Sequence, residues 1–155
     1  MHDNHQSEKL LNMTHARTPA QQDKMQELIK LGICPFCSEY LEQYHDNPIE
    51  QRGTWWNVTK NDYPYEGATL HYLFIYRSHM SDLSDVPAEA YAELGEFARS
   101  IAEKNNIKGA TLLMRFGDTE WTGGTVTHLH AQLVVGGPFE ADCEKIKVGI
   151  GYKKR

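Results

Sequence analysis

No stretch of this sequence approaches the roughly 20 consecutive apolar residues that a membrane-spanning helix needs. The polar run from Met1 to Ala20, broken only by Leu10-Leu11, also lacks the apolar core of a secretory signal. Cysteine is scarce: three residues, an odd number with two at close spacing, argue against a disulfide framework. A basic excess is missing too. Sixteen Lys and Arg against 21 Asp and Glu leave a formal charge of -5. Nucleic-acid-binding domains are usually strongly basic, so that class is set aside, while a small anionic ligand stays open because local groups decide it. These absences predict a reduced, cytoplasmic protein with neither a nucleic-acid nor a membrane partner.

What is present suits one domain. At 155 residues, 40% hydrophobic and 24% charged, the chain is long enough to bury a core without crosslinks. Residues 1–17 are polar and aperiodic and read as a mobile N-terminal arm, with His2, His5 and His15 as bystanders and Met13 as an alternative start. Residues 18–155 read as a single domain. Thr18-Pro19-Ala20-Gln21 predicts a capped helix start, Met25, Leu28 and Ile29 its apolar stripe, and Gly32 its stop. Two short strands follow between Pro48 and Lys60, with Gly53 between them and Trp55, Trp56 and Val58 in the second. Asn61 to Gly67 is turn-rich, and Leu70 to Tyr76 is a β-prone run.

Pro87 to Lys104 is the clearest helix, with Tyr91, Leu94, Phe97 or Ala98, and Ile101 at helical spacing. Ala110 to Phe116 predicts another strand, followed by a loop through Gly124. Thr125 to Gly137 predicts the next strand, and the alternation of Ile146, Val148 and Ile150 a last short one. One long crossing helix, an additional N-terminal helix and runs of antiparallel strands make an α+β sheet domain.

The chemistry concentrates in Thr125-Val126-Thr127-His128-Leu129-His130-Ala131-Gln132-Leu133. On a strand, successive side chains alternate between faces. His128, His130 and Gln132 therefore share one face, and Leu129, Ala131 and Leu133 the other. Cys34-Pro35-Phe36-Cys37 has the spacing of half a zinc site, and thiolate with imidazole is a donor set that suits Zn²⁺. There is no second such cysteine pair, so two histidines must complete the site, drawn from His45, His71, His79, His128 and His130.

Taken together, Cys34-Pro35-Phe36-Cys37, Asn61-Asp62-Tyr63-Pro64-Tyr65, Arg77-Ser78-His79 and Gly123-Gly124-Thr125-Val126-Thr127-His128-Leu129-His130-Ala131-Gln132 stand in the order seen in the histidine triad (HIT) superfamily. The resemblance runs from about Cys34 to Gly137. The family pattern is His-x-His-x-His, and this chain has Gln132 in the third place. In that respect it is similar to the branch that includes galactose-1-phosphate uridylyltransferases and some diadenosine tetraphosphate phosphorylases. The resemblance implies a HIT-like fold, a homodimer and a nucleotide or nucleotide-derivative substrate. It implies that His130 is a nucleophile that takes a nucleoside monophosphate as a phosphoramidate. Cys34, Cys37, His79 and His128 would hold a structural zinc, Gly123, Gly124 and Thr125 would bind the α-phosphate, and Asn61 would contact the nucleoside.

The residues themselves support this division. A neutral imidazole is a good nucleophile near pH 7, and Thr125, the Gln132 amide and Arg115 can stabilise charge on phosphoryl oxygens. An amide cannot shuttle a proton at neutral pH as a third histidine can, which favours nucleotidyl transfer over hydrolysis. The segment Met114-Arg115-Phe116-Gly117 and the short single domain depart from the family pattern. Two other readings stand beside this one. The chain could be a metallohydrolase with His128 and His130 on one catalytic metal, or a non-catalytic nucleotide-binding module. Trp55, Trp56, Tyr63, Tyr65 and Trp121 read either as a base pocket or as core and dimer contacts. Cys143 reads as structural and Lys153-Lys154-Arg155 as solvated.

Overall fold

The computed structural model describes residues 9–155, so His2 and His5 lie outside the described residues. Helix α1, Pro19–Leu31, starts where the Thr18 hydroxyl accepts the Gln21 N–H at 3.1 Å, and stops at Gly32 in the left-handed region (φ 65°). Met25 and Leu28 turn inward with Gln21, whereas Ile29 is 48% exposed, one helical step beyond the buried stripe. A one-turn helix, α2 (Leu41–Tyr44), follows the cysteine pair and seats Leu41 in the core.

Five strands form one antiparallel sheet: β1 Ile49–Arg52, β2 Trp56–Lys60, β3 Leu70–Tyr76, β4 Thr111–Arg115 and β5 His130–Val135, in the spatial order β1-β2-β3-β5-β4. Helix α3, Ala88–Lys104, crosses one face. There Trp56, Val58, Phe74, Leu129, Ala131 and Leu133 meet Ala90, Leu94 and Ile101. Ala90, rather than the expected Tyr91, takes the inward position, because a helix advances about 100° per residue and Leu94 and Ile101 fix the facing side. On the opposite face Leu73 and Ile75 pack with Leu41, Phe36 and Ile49. β5 is covered on both faces and is buried throughout.

Four sequence expectations need correction. The strand expected from Thr125 begins only at His130, because the stretch before it pairs with the N-terminal segment: Asn12 N–H donates to Thr125 O (2.8 Å) and Thr127 N–H to Leu10 O (2.8 Å). Leu11 is correspondingly buried and bridges Val126, and a 3-10 turn, Met13–His15, follows; residues 9–17 thus lie packed where the sequence suggests an arm. The alternation of Ile146, Val148 and Ile150 does not make a strand. Ile146 and Val148 are half-buried, Ile146 resting beside Gly136, and the segment is held by side chains instead of a ladder. Finally, the loop before Gly124 contains a short helix, α4 (Thr119–Thr122), capped by Asp118. Cys143 is exposed, as are residues 153–155. Among the described residues no helix is long and apolar enough to cross a membrane.

The sheet and α3 are joined by Glu93. Its carboxylate accepts three backbone N–H groups, from Thr54 (2.7 Å), Trp55 (2.8 Å) and Trp56 (2.9 Å), while the Trp56 indole N–H donates to Ala90 O at 2.7 Å. Gly53 makes room for this carboxylate, since a Cβ there would lie 2.5 Å from Glu93 Cδ. Three charge-assisted bonds converge on one residue. Glu93→Ala is therefore expected to lower unfolding stability by about 1–3 kcal/mol in urea denaturation. A change below about 0.5 kcal/mol, the range of ordinary surface substitutions, would mean that the hairpin finds other partners for these N–H groups.

Candidate functional site

Gly32 ends α1 and turns the chain into Cys34 and Cys37, whose N–H closes a tight turn on Cys34 O (3.3 Å). His79 arrives just after β3 and His128 just before β5. The ligand atoms of these four side chains lie within 4.8 Å of one another. Cys34 Sγ is 3.5 Å from His128 Nδ1, Cys37 Sγ is 3.8 Å from the same nitrogen, and Cys37 Sγ is 3.3 Å from His79 Nδ1. A tetrahedral ion with bonds of about 2.3 Å to sulfur and 2.0–2.1 Å to nitrogen would separate S and N by about 3.5 Å. The donors thus have the spacing of a four-coordinate metal site. His128 is also in the right tautomer: its Nε2–H donates to Tyr76 O at 2.6 Å, which leaves the Nδ1 lone pair for a ligand. Burial pulls its pKa down to about 4, so the ring is neutral at pH 7, as ligation requires.

Of the five histidines the sequence offers as ligands, the structure brings His79 and His128 together with the cysteines. His45 instead faces Asp62 (3.2 Å) and donates to Lys60 O (2.8 Å). His130 lies beyond the group, its Nδ1–H donating to His128 O at 2.6 Å. That bond leaves Nε2 with its lone pair, and His130 lines the adjoining cleft. Burial lowers its pKa to about 4 as well, and the ring edge of Phe36 packs at 5.1 Å between centroids.

Gln132 stands two residues on, opposite Leu73 of β3 and Leu113 of β4. Its Oε1 accepts the Nε2–H of His71 at 2.6 Å, while His71 Nδ1 accepts the Tyr65 backbone N–H at 3.1 Å. Both bonds agree on one neutral tautomer. With the carbonyl end held, the amide NH₂ of Gln132 is the end available to a ligand in the cleft it lines. Sequence reading names His71 only as a possible metal ligand; its pairing with Gln132 follows from the β3–β5 register, which no local pattern encodes.

The cleft has a volume of about 370 Å³. The residues expected to bind substrate, Asn61, Arg115, Gly123, Gly124 and Thr125, line it, together with Tyr63 and Tyr65. Of the aromatic residues considered for a base pocket, Trp56 is instead in the core, Trp55 stacks on Tyr76, and Trp121 is 80% exposed. Arg115 sits directly across from His130 in the β4–β5 register. Gly123 ends α4 at φ 72°, and the Gly124 N–H is taken by the Thr122 hydroxyl at 3.1 Å, so that donor is engaged within the loop. Two residues read as arm roof the cleft: His15, whose Nδ1 bonds Gly124 O (2.6 Å) and whose Nε2 meets the Tyr152 hydroxyl, and Arg17. No sequence signal marks them, because their partners lie more than a hundred residues away for His15.

His71 carries a pH consequence. Burial, helped by the cations Arg17 and Arg115 and opposed by the bond to Gln132, lowers its pKa to about 4. In the unfolded chain it titrates near 6.5. Between these values the unfolded state binds more protons, so the contribution is complete above about pH 6.5 and is lost as pH falls toward 4. The unfolding free energy of His71→Gln is expected to depend less steeply on pH across this window than that of the parent protein. Equal slopes in urea titrations at pH 6.5 and 4.5 would refute a buried neutral His71.

No family model matches the chain, and no curated protein does. Solved structures do. A HIT family hydrolase from Clostridium thermocellum is 24% identical over 70% of this chain and 93% of its own length, with a TM-score of 0.52. A hypothetical histidine triad nucleotide-binding protein from Sulfolobus tokodaii is 20% identical over 78% and 82%, with a TM-score of 0.52. A zinc-bound histidine triad family protein from Mycobacterium smegmatis is 19% identical over 76% and 84%, with a TM-score of 0.50. Sheet order, crossing helix and these likenesses together give the chain the α+β fold of the histidine triad proteins.

Proposed function

We propose that this chain is an enzyme of the histidine triad superfamily, a nucleotidyltransferase or hydrolase acting on the α-phosphate of a nucleotide sugar or dinucleoside polyphosphate. The observation that carries the reading is the separation of the two neighbouring imidazoles. His128 is turned to the cysteines and His79, whereas His130, its Nδ1 engaged by the His128 carbonyl, lines the cleft.

In this reading the Nε2 lone pair of His130 attacks the α-phosphorus, forming a P–N bond as the P–O bond to the leaving group breaks. An acceptor oxygen then forms a new P–O bond, the P–N bond breaks, and the imidazole is restored. Gln132, its carbonyl end held by His71, donates from its NH₂ to a phosphoryl oxygen, and Thr125 and Arg115 add donors around the same group. Gly123 and Gly124 shape the phosphate loop and Asn61 lies on the nucleoside side. Gln132 cannot supply or remove a proton, which favours a phosphate or sugar phosphate over water as acceptor and aligns the chain with the transferase branch.

The metal in this reading is zinc, held by Cys34, Cys37, His79 and His128. Four protein ligands would leave such an ion no open position, so it would brace the segment leading into β5 and supply no chemistry of its own. A homodimer in the cytoplasm completes the proposal. A catalytic metal shared by His128 and His130 is less well supported, since His130 Nδ1 is engaged by a backbone carbonyl and lies outside the ligand group.

Two measurements test this. After incubation with nucleotide sugars and dinucleoside polyphosphates and an alkaline quench, intact-mass spectrometry should find the parent chain heavier by one nucleoside monophosphate. His130→Ala should give no adduct and lose at least ~10³-fold in turnover, the scale expected for removing a nucleophile. No adduct and no turnover with any substrate would leave a binding module without catalysis. Metal analysis should find one zinc per chain in the parent and in His130→Ala, and much less in Cys34→Ser. Loss of metal from His130→Ala would instead support the shared-metal hydrolase.

A further inference from the structure

The reaction proposed above leaves one atom unserved. As the P–O bond breaks, negative charge builds on the leaving oxygen, and Gln132 has no proton to give it. The roof of the cleft holds groups that do. His15, at the end of the 3-10 turn, donates from Nδ1–H to Gly124 O at 2.6 Å, inside the loop read as the phosphate cradle. With Nδ1 the donor, Nε2 is the nitrogen that gains and loses a proton, and it meets the Tyr152 hydroxyl. The two rings lie 5.8 Å apart between centroids, and both line the cleft with His130.

The segment that carries Tyr152 is held over the same loop. Arg115, the cross-strand neighbour of His130, donates from Nη2 to Gly149 O at 2.6 Å. Gly151 takes φ 119° and passes so close to the α4 backbone that a Cβ there would lie 3.0 Å from Trp121 O. Depth then separates the roof from the nucleophile: His130 is 7% exposed and Tyr152 66%. In phosphoryl transfer the attacking and leaving atoms lie roughly in line across the phosphorus. A nucleophile at the buried end therefore sends the leaving oxygen toward the rim, where the roof stands. Among the described residues lining the cleft the one carboxylate, Asp62, is engaged by Lys24 and His45, while Arg17, Arg115 and Lys147 add positive charge. The phosphates of a bound substrate supply the negative charge that pairs with an imidazolium there.

We propose that Tyr152 and His15 form a proton-donating pair for the leaving group, Tyr152 delivering the proton and His15 storing it. Tyr152 is the catalytic member, and His15 acts through it. The statement rests on the proposed nucleotidyl transfer to His130. As Nε2 of His130 forms the P–N bond, the P–O bond breaks and its electron pair goes to the leaving oxygen. That oxygen takes the proton of the Tyr152 hydroxyl, and the phenol oxygen takes the Nε2 proton of an imidazolium His15, which becomes neutral. The exposed hydroxyl then returns a proton from solvent to His15. An ionised phosphate acceptor attacks without a base, in keeping with the amide at Gln132.

The dependence of rate on the leaving group tests this on the full, metal-loaded chain. The probes are the phenyl and p-nitrophenyl 5′-esters of nucleoside monophosphates, for each common base. p-Nitrophenolate departs without a proton, whereas the more basic phenolate needs one. His15→Asn keeps a side-chain N–H for Gly124 O but has no proton to pass on, and Tyr152→Phe removes only a hydroxyl from an exposed side chain. Each variant is expected to lose ~10²-fold or more in phenol release, the low end for general acid catalysis, and less than ~3-fold in p-nitrophenol release. The double variant should lose no more than either single one, because the two act as a unit. Should His15→Asn fail to fold, Tyr152→Phe decides alone. With a His130 adduct forming, equal losses on both esters would make the roof a structural clasp. Losses below ~3-fold on both would leave it without a role in the reaction. A leaving-group effect in only one of two folded variants would break the pairing. Each of these results overturns the pair and leaves the nucleotidyl reading standing. If no ester forms an adduct and none releases its phenol, the nucleotidyl reading is overturned and the pair falls with it.

Discussion

His128 is the residue through which the parts of this molecule communicate. Its ring nitrogen Nδ1 faces Cys34 and Cys37, and its Nε2–H is bonded to Tyr76 O at the end of β3. Its own carbonyl accepts the Nδ1–H of His130. One residue therefore joins the turn after α1, the centre of the sheet and the candidate nucleophile. Each bond fixes the tautomer of a ring, and the tautomer decides which nitrogen is presented next. If His128 were lost, the cysteines would lose a ligand partner, β3 a contact at its end, and His130 the bond that points it at the cleft.

The electrostatic layout follows the same economy of placement. The chain is acidic as a whole, yet the cleft wall is cationic and the imidazoles behind it are neutral because they are buried. Net charge controls the approach of an anion at long range, where salt screens it within about 10 Å, whereas the arginines act at contact distance. Neutral His71 and His130 add no competing positive charge that would have to be desolvated. The amide of Gln132, fixed at one end, adds a dipole whose direction is set before any ligand arrives.

What was legible in the sequence is what short-range rules encode. The cap at Thr18, the stop at Gly32 and the strand from Leu70 to Tyr76 follow from local periodicity and turn chemistry. The inward set Leu129, Ala131 and Leu133 follows from the two-residue period. The gathering of Cys34, Cys37, His79 and His128 was legible only through likeness to a family, since spacing alone left five histidines open. Other features depend on what lies across space. The Gln132–His71 bond needs the β3–β5 register, and the strand starts at His130 only because residues 10–12 take the pairing of Thr125–Thr127. Ile146 to Ile150 has a strand's alternation without a strand's neighbour. Arg17 and His15 carry no periodic signal at all.

The roof of the cleft has a kinetic side. His15 and Tyr152 meet across 137 positions of chain, and His15 and Gly124 across 109, while the sheet hydrogen bonds beneath them join segments already drawn together. Loop-closure entropy grows only slowly with length, about 0.6 kcal/mol per doubling, but contacts of this separation form after shorter-range ones have ordered the chain. Side-chain bonds close this roof beyond the short backbone pairing that residues 10–12 make with Thr125–Thr127. With so few bonds against the full ladders of β3 and β5, amide exchange is expected to be slow in those strands and faster above the cleft.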